Sequence, residues 1–302
     1  MACLNVCPRD ALALDGAGIV LEPTRCDGCG LCAAVCPRQV FHLPLNFARG
    51  EVAGHGAHFA SCERLLAEPL PGRLPCLNAI GLDDLLRARQ SGGLAWIVAH
   101  GNCQACPRGG EPGWLARVED LNQALAARGK PGLIVKDLPE ARWHALFKSC
   151  VPASAVATGG RRLFLCRLLP ADDAAIPRDR LLEGDGPRPW SIFIDAWRCV
   201  ACHACVRTCP ENAIRLEERP EPAYRLDHAG CTGCGVCRDV CDRGAVRLLP
   251  WRQAEADVVP LRTGTCRACG VDYLSPTAGD ARGLCHICIE RPDRPRLFRV
   301  CD

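Results

Sequence analysis

Between residues 199 and 241 the chain carries two cysteine runs of identical spacing, Cys-x-x-Cys-x-x-Cys-x-x-x-Cys. Their members are Cys199, Cys202, Cys205, Cys209, Cys231, Cys234, Cys237 and Cys241. This spacing is typical of bacterial chains that bind two [4Fe–4S] clusters, because the short steps wrap the backbone around one corner of each cube. Zinc is the alternative, although four evenly stepped thiolates suit a cube better than a tetrahedral ion. The cysteines therefore indicate one-electron redox chemistry.

Two crossed ligand sets follow, because in this arrangement the fourth cysteine of each run reaches the cluster of the other run. We define site A as Cys199, Cys202, Cys205 and Cys241. Site B comprises Cys231, Cys234, Cys237 and Cys209. Backbone N–H groups can approach the cluster sulfurs at the glycines beside the ligands, which are Gly28, Gly30, Gly233 and Gly235.

A repeated unit, made of a cysteine run, Cys-Pro or Cys-Asp and a short apolar strand, occurs four times. The runs end at Cys7, Cys36, Cys209 and Cys241. Hairpins are predicted between copies, at 12–14 with 19–21 and at 213–217 with 224–226. The unit resembles the dicluster bacterial ferredoxin fold, fully over residues 193–250 and partly over residues 1–45, with short helices after the cysteine runs. Asp242 stands where that family usually has proline, which affects only the turn after the ligand.

The N-terminal copy is incomplete. Its second run is whole, with Cys26, Cys29, Cys32 and Cys36, but only Cys3 and Cys7 remain of the first run. We define site N as Cys7, Cys26, Cys29 and Cys32, which can hold one cluster, while Cys3 and Cys36 form half of another site. Two explanations stay open. Either the true start lies upstream and this half holds two clusters, or the second site has been lost.

The middle segment, residues 46–158, alternates predicted strands and helices and so favours a small parallel α/β layer. Strands are predicted at 57–61, 73–74, 94–99 and 133–135, and helices at 81–90, 114–128 and 140–150. The rim site, defined as Cys62, Cys76, Cys103 and Cys106, follows three of these strands. Open α/β sheets build their sites at the carboxyl ends of parallel strands, so four thiols are expected to converge there as metal ligands.

This segment is loosely similar to the delta iron–sulfur subunit of methyl-viologen-type hydrogenase and heterodisulfide reductase systems. The similarity rests on an early cysteine, a Pro-Cys before a helix and a Gly-x-Cys-x-x-Cys after a strand, and it implies a [2Fe–2S] cluster. A redox dithiol, or cysteines that pack as small apolar residues, are the alternatives. His55, His58 and His100 lie nearby in sequence as less favoured ligands. Burial is expected for Cys150 and Cys166.

Near the C-terminus, two Cys-x-x-Cys knuckles are separated by 15 residues. The knuckle site, defined as Cys266, Cys269, Cys285 and Cys288, has the spacing of a structural zinc ribbon. Rubredoxin-like iron uses the same four sulfurs, and the region has little aromatic packing, so zinc is favoured. His286 is expected to face solvent and Cys301 to be free.

The predicted fold class is α+β and multidomain, with ferredoxin-like dicluster modules flanking a small α/β domain, plus a C-terminal zinc ribbon. The domain boundaries are 1–45, 46–158, a linker over 159–192, 193–250 and 260–302. With 25 cysteines, most of them in ligand spacing, no signal peptide and no apolar run of about 18 residues, a cytoplasmic protein without a membrane span is expected. A net charge of +3 does not favour a nucleic-acid partner.

Electron transfer is the favoured function, through two [4Fe–4S] clusters in 193–250, at least one in 1–45 and a further Fe–S cluster in 46–158, with zinc or iron in 260–302. The expected partner is a larger oxidoreductase of the formate dehydrogenase or hydrogenase type. One alternative is catalysis, such as disulfide or sulfur reduction. Another is an assembly or regulatory factor that uses the zinc ribbon and the arginines at 291–299.

Overall fold

The computed structural model describes residues 2–16, 18–65, 70–108, 113–152, 182–278 and 283–290. Two compact units divide the chain, residues 1–183 and residues 184–302. Most of the predicted linker, Cys166, Cys301 and the arginines at 291–299 lie outside the described residues. Among the helices of the described ranges, none combines the length and the apolar character needed to cross a bilayer.

The first unit begins with two short helices and a hairpin. α1 (Ala2–Val6) and α2 (Leu31–Val35) lie against each other. Each ends directly before the last cysteine of its run. Between them, β1 (Leu12–Asp15) pairs antiparallel with β2 (Gly18–Leu21), which confirms the predicted hairpin.

A mainly parallel sheet of five strands follows. Its strands are β3 (Ala48–Val52), β4 (His55–Cys62), β5 (Arg73–Leu74), β6 (Gly93–Ala99) and β7 (Ile134–Asp137). β5 and β6 pair parallel with β4, and β7 pairs parallel with β6, whereas β3 is antiparallel to β4. The four predicted strands are confirmed, and β3 is the addition. The carboxyl ends of β4 to β7 therefore lie along one edge of the sheet.

Helices cover this sheet. Three of them, α3 (Leu82–Gln90), α4 (Gly113–Ala126) and α5 (Glu140–Cys150), lie close to the predicted ranges, and the 3₁₀ turn Leu77–Ala79 is an addition. α3 starts where predicted because the Gly81 N–H donates to the Asp84 carboxylate at 2.8 Å, which satisfies one of the unpaired N–H groups of a helix start. On the sheet, Trp143 stacks on Phe147 with ring centroids 4.9 Å apart, and Phe59 meets Phe147 edge-on. Cys150 is half-buried against this core.

The second unit contains two sheets. β8 (Arg188–Ile194) pairs antiparallel with β11 (Val246–Arg252), and β9 (Ile214–Glu217) pairs antiparallel with β10 (Ala223–Leu226). Two short helices, α6 (Ala204–Thr208) and α7 (Val236–Asp239), carry the third cysteine of each run. Ile192, Ile214, Tyr224 and Val246 form the core with several of the cysteines.

The C-terminal knuckles are joined to this unit by a shared sheet. β12 (Val258–Thr265) and β13 (Asp272–Pro276) form a hairpin, and β12 pairs with β10, so the strand order is β13-β12-β10-β9. The side chains of Val259 and Leu261 enter the same core as Tyr224. A short helix, α8 (His286–Glu290), begins in the second knuckle. The structure therefore differs from the sequence expectation of a separate ribbon, because the predicted boundary at residue 260 lies inside β12.

Candidate iron–sulfur centres

Site A brings together four thiols from both cysteine runs. Burial raises the pKa of Cys205 to about 12, and the nearby thiols of Cys199, Cys202 and Cys241 raise it further. Burial is again the main cause that raises the pKa of Cys199 to about 11, with Cys202 and Cys241 adding to it. The crossing cysteine, Cys241, thus lies beside the first run although it belongs to the second. A cation would offset the cost of ionising Cys199 and Cys205 in this cluster of thiols.

Site B is assembled in the same crossed manner. Burial raises the pKa of Cys237 to about 12, and the next causes are the thiols of Cys231, Cys234 and Cys209. All four line one cavity, whose apolar wall includes Ile192, Ile214 and Leu248. The thiol of Cys205 in site A also acts on Cys237, so the two sites are neighbours.

The last cysteine of every repeat accepts a backbone hydrogen bond at its sulfur. The donors are four residues further along, with N–Sγ distances of 3.2–3.3 Å, and the pairs are Ala11 to Cys7, Val40 to Cys36, Ala213 to Cys209 and Ala245 to Cys241. An N–H···S bond stabilises negative charge on the sulfur and so favours the thiolate and the reduced cluster.

A left-handed residue makes this bond possible. Three residues after each of these cysteines the backbone has φ between 47° and 56°, at Asp10, Gln39, Asn212 and Gly244. The N–H of each left-handed residue donates to the carbonyl of its cysteine, at 2.8–3.3 Å, which closes a turn. The left-handed φ directs the N–H of the next residue toward the cysteine sulfur. Asn, Asp and Gly are enriched in this conformation, so their recurrence at this offset was a usable signal that sequence reasoning missed.

The glycines inside the runs are left-handed as well. Gly28 and Gly233, between the first two cysteines of their runs, have φ of 67° and 76°. Site A has Ala201 at the equivalent place, with φ 51°, so alanine can occupy the position at a conformational cost. Gly233 differs because a Cβ there would lie 2.2 Å from the Trp190 indole nitrogen, whereas a Cβ on Gly28 would meet nothing within 4 Å.

We therefore expect Gly233→Ala to destabilise the second unit by about 2–5 kcal/mol, because left-handed strain adds to the clash with Trp190. The change is also expected to lower cluster occupancy at site B. Gly28→Ala carries only the left-handed strain, about 1–2 kcal/mol. Thermal unfolding and iron content of the two variants measure the difference. Equal losses would show that Trp190 does not hold the site B loop.

Site N brings the thiols of Cys7 and Cys26 close to that of Cys32. Burial raises the pKa of Cys32, with contributions from the thiols of Cys26 and Cys7. Burial also raises the pKa of Cys29 to about 11. Of the predicted half site, Cys3 is buried on α1, and Cys36 directly follows α2.

The rim site lies where the parallel strands predict it. Cys62 ends β4, Cys76 follows β5, and Cys103 and Cys106 follow β6. All four line a cavity of about 210 Å³. Burial raises the pKa of Cys76 and of Cys103, and the thiol of Cys62 adds to both shifts. The cavity has room for a bound group, and its thiols are mutually close.

Of the three histidines near the rim site in sequence, only His100 lines the cavity. Its Nε2 is 3.1 Å from the Asp137 carboxylate, and its Nδ1 is 3.6 Å from Cys103 Sγ. The Gly101 carbonyl lies closer to Nδ1, at 2.8 Å, and accepts its hydrogen, so His100 links the Asp137 carboxylate to the loop that carries Cys103. His58 is instead buried against the Trp96 ring, and His55 is exposed at the start of β4.

The knuckle site has the most compact sulfur arrangement. The Sγ atoms of Cys266, Cys269, Cys285 and Cys288 all lie within 4.8 Å of one another, with Cys269 and Cys285 at 3.8 Å. A tetrahedral ion with metal–sulfur bonds of about 2.3 Å places its sulfurs about 3.8 Å apart. No other group of three or more His, Cys, Asp or Glu ligand atoms is this compact in the described part of the chain.

One knuckle thiol is prepared for ligation. Burial opposes ionisation of Cys266, but backbone N–H groups of Cys285, Cys269 and Ala268 outweigh it and lower its pKa to about 6. The Cys285 N–H donates to Cys266 Sγ at 3.3 Å. The pKa of Cys288 is raised to about 12, first by burial and then by the other three thiols. One thiolate surrounded by thiols that need a cation is what a mononuclear metal site requires.

Arg108 is a further residue of these centres that sequence reasoning missed. Its side chain is 7% exposed and lines the rim cavity. Asp27, between two cysteines of site N, accepts a hydrogen bond from Arg108 Nε at 2.8 Å. No local pattern indicates this contact, because it joins residues 81 positions apart.

Comparison with known proteins identifies the class to which these features belong. A family model described as 4Fe-4S dicluster domain matches residues 1–40 and 198–245. Pyruvate synthase subunit PorD of Methanothermobacter marburgensis is 31% identical over 61 residues, 20% of this chain and 68% of that protein. A ferredoxin of Methanocaldococcus jannaschii is 43% identical over 62 residues, 20% of this chain and 97% of that protein.

A component of the ion-translocating oxidoreductase complex of Methanosarcina acetivorans is 36% identical over 50 residues, 17% of this chain and 18% of that protein. Several relatives are therefore subunits of oxidoreductase complexes. The chain belongs to the 4Fe–4S dicluster ferredoxin family. Its role is iron–sulfur electron transfer. The delta-type resemblance of the middle segment and the zinc ribbon stay predictions.

Proposed function

We propose that the chain is a multi-centre electron relay in which sites A, B and N each hold one [4Fe–4S] cluster. The observation that carries this proposal is the crossing of the ligand sets, since Cys241 lies with the first run and Cys209 with the second. A cluster changes by one electron and makes no bond, so the protein supplies thiolates, burial and hydrogen bonds to sulfur.

Iron, acid-labile sulfide and zinc per chain, measured after anaerobic purification with EPR of the reduced sample, test the relay. Three cubanes give about 12 Fe, and the knuckle site about one Zn. About 8 Fe would mean that site N is empty. Two or more Zn with little iron and no signal from reduced clusters would contradict the relay and leave a zinc scaffold.

A further Fe–S cluster in the rim site is part of the proposal. Four convergent thiols, a cavity of about 210 Å³ and the adjacent site N support it. Occupancy would raise the iron content to about 14–16 per chain. Cys103→Ser should then remove only the additional iron. Unchanged iron in that variant would assign the excess to Cys3 and Cys36.

Zinc is proposed for the knuckle site, where the 3.8 Å sulfur spacing supports a mononuclear ion but does not choose between zinc and iron. Metal analysis of Cys269→Ser distinguishes them. Loss of about one Zn with unchanged iron is expected. Loss of one Fe and of a rubredoxin-like absorption band would make this a further redox centre.

The proposed partner is a larger cytoplasmic oxidoreductase of the formate dehydrogenase or hydrogenase type. Support comes from relatives that are subunits of oxidoreductase complexes, and from thiols that must stay reduced to bind metal. The rate of cluster bleaching compares the candidate partners. It is measured with formate and formate dehydrogenase, with hydrogen and hydrogenase, and with pyruvate and pyruvate synthase. Fast bleaching only by the pyruvate enzyme would replace the first two partners.

A second candidate function is disulfide or sulfur reduction at the rim site. The linked array of Asp137, His100 and Cys103 beside an open cavity favours it. Two electrons from the clusters and two protons would convert one disulfide into two thiols. In the test, the reduced protein is mixed with a disulfide and its reoxidation is followed. Reoxidation that is lost in His100→Ala, while the iron content is unchanged, would support this function over simple electron transfer.

A further inference from the structure

Arg108 joins site N to the rim site within the first unit. Its Nε donates to Asp27 Oδ2 at 2.8 Å and a terminal nitrogen donates to the Asp27 carbonyl at 3.1 Å. The other terminal nitrogen lies 2.6 Å from Glu63 Oε1 and also donates to the Pro75 carbonyl. These contacts engage all three guanidinium nitrogens of a side chain that is almost fully buried.

The partners of Arg108 are placed next to ligands. Asp27 lies between Cys26 and Cys29 of site N. On the rim side, Glu63 directly follows Cys62 and Pro75 directly precedes Cys76. Arg108 itself follows Cys106-Pro107. One guanidinium therefore binds the loops that carry cysteines of both sites.

The guanidinium is also the counter-charge of two carboxylates, Asp27 beside site N and Glu63 beside the rim site. An arginine side chain stays protonated in proteins, so this positive charge is permanent. Without Arg108, two uncompensated carboxylates would lie next to cysteines of both sites, since Asp27 follows Cys26 and Glu63 follows Cys62. Because a reduced cluster carries one more negative charge, removal of Arg108 should disfavour reduction at both sites.

We propose that Arg108 is a positioning residue that fixes site N beside the rim site and makes each centre respond to the redox state of the other. One electron can then pass from one centre to the other in a single step, and no bond is made or broken. This inference rests on the proposed occupancy of both sites, and it concerns the connection between them.

Arg9 provides the matched control. Its Nε lies 3.7 Å from the same Asp27 oxygen, but its side chain is 44% exposed. Water and salt screen such a charge, so its removal should change the cluster little. Arg108→Lys keeps the charge of Arg108 but cannot reproduce its fork of hydrogen bonds.

The test uses full-length anaerobic protein as wild type, Arg108→Gln, Arg108→Lys and Arg9→Gln, each with and without Cys103→Ser. Iron and sulfide are counted, and site N is titrated by EPR. At the wild-type midpoint, Arg108→Gln should lower the ratio of reduced to oxidised site N about tenfold, or 59 mV for one electron. Arg9→Gln should change it less than twofold. Adding Cys103→Ser should change the ratio of reduced to oxidised site N in the wild-type background but not in the Arg108→Gln background.

An unchanged ratio in Arg108→Gln at full iron content would overturn the inference, as would an equal shift in Arg9→Gln. If Arg108→Gln loses iron, Arg108→Lys is the deciding variant. Its ratio of reduced to oxidised site N should stay near the wild-type value, and adding Cys103→Ser should not change that ratio. A wild-type response in Arg108→Lys would remove the positioning role. Wild-type protein without iron at either site would instead contradict the proposed function. Hydrogen exchange of the metal-free protein then tests Arg108 separately, with faster exchange at Asp27 and Glu63 expected only in the Arg108 variants.

Discussion

Cys209→Ser is expected to remove the cluster of site B, although Cys209 belongs to the other cysteine run. The iron content should fall by about 4 per chain, because three thiolates and a serine bind a cube poorly. Site A should stay loaded, since none of its ligands is changed. Cys241→Ser should give the reciprocal result and empty site A. Iron analysis and EPR of the reduced variants measure both effects.

Double variants identify which cluster is lost. Adding Cys231→Ser to Cys209→Ser should cost no further iron, because both serve one site, whereas adding Cys199→Ser should double the loss. Cys150→Ser is the control, since this half-buried cysteine ends α5 outside all five sites. Loss of the site A signal from Cys209→Ser alone would show that the ligand sets are not crossed.

Cys285→Ser is expected to destabilise the whole second unit and not only the knuckles. Structural zinc contributes about 10–16 kcal/mol to folding in small zinc domains, so the knuckles should unfold without it. β12 would then detach from β10 and expose Val259 and Leu261, which costs about 3–6 kcal/mol for two buried aliphatic side chains. Hydrogen exchange of β10 and thermal bleaching of the clusters measure the effect.

His286→Ala is the matched control for that variant, because His286 lies between Cys285 and Cys288 and is not a member of the tetrathiolate. It should leave metal content and β10 exchange near wild type. Two hydrogen bonds report directly on the joined edge, from Leu226 N–H to Asp257 O and from Leu261 N–H to Pro222 O, both 2.8 Å. Unaltered protection of Leu226 in Cys285→Ser would mean that the sheet does not depend on the metal.

The sequence predicted the local parts of this molecule well, for a physical reason. Cluster ligation requires short, fixed numbers of residues between the cysteines, so the cysteine spacing alone is almost sufficient to predict the ligand sets. The hairpins and the strands of the middle segment were predicted from short alternating apolar patterns. Its helices were predicted from their helix-start residues. Placement of Cys62, Cys76 and Cys103 at one edge followed from the general geometry of parallel strands.

Contacts distant in sequence could not be predicted. Pairing of β12 with β10 is set by the complementarity of two edges, and the zinc-ribbon spacing concealed it by suggesting an independent unit. Arg108 is one of many arginines, and only the folded chain places it against Asp27. The turn after each last cysteine is an intermediate case, since Asp10, Asn212 and Gly244 share a tolerance for left-handed backbone that was visible but not used.

The shared sheet has a consequence for the order of events during synthesis. β10 is made roughly 40 residues before β12 is complete, so at about 5–20 residues per second the ribosome leaves its edge unpaired for several seconds. Unpaired strand edges invite association with other chains. For those seconds, from the completion of β10 to that of β12, the nascent protein can associate with other chains through this edge, and synthesis of β12 ends the exposure.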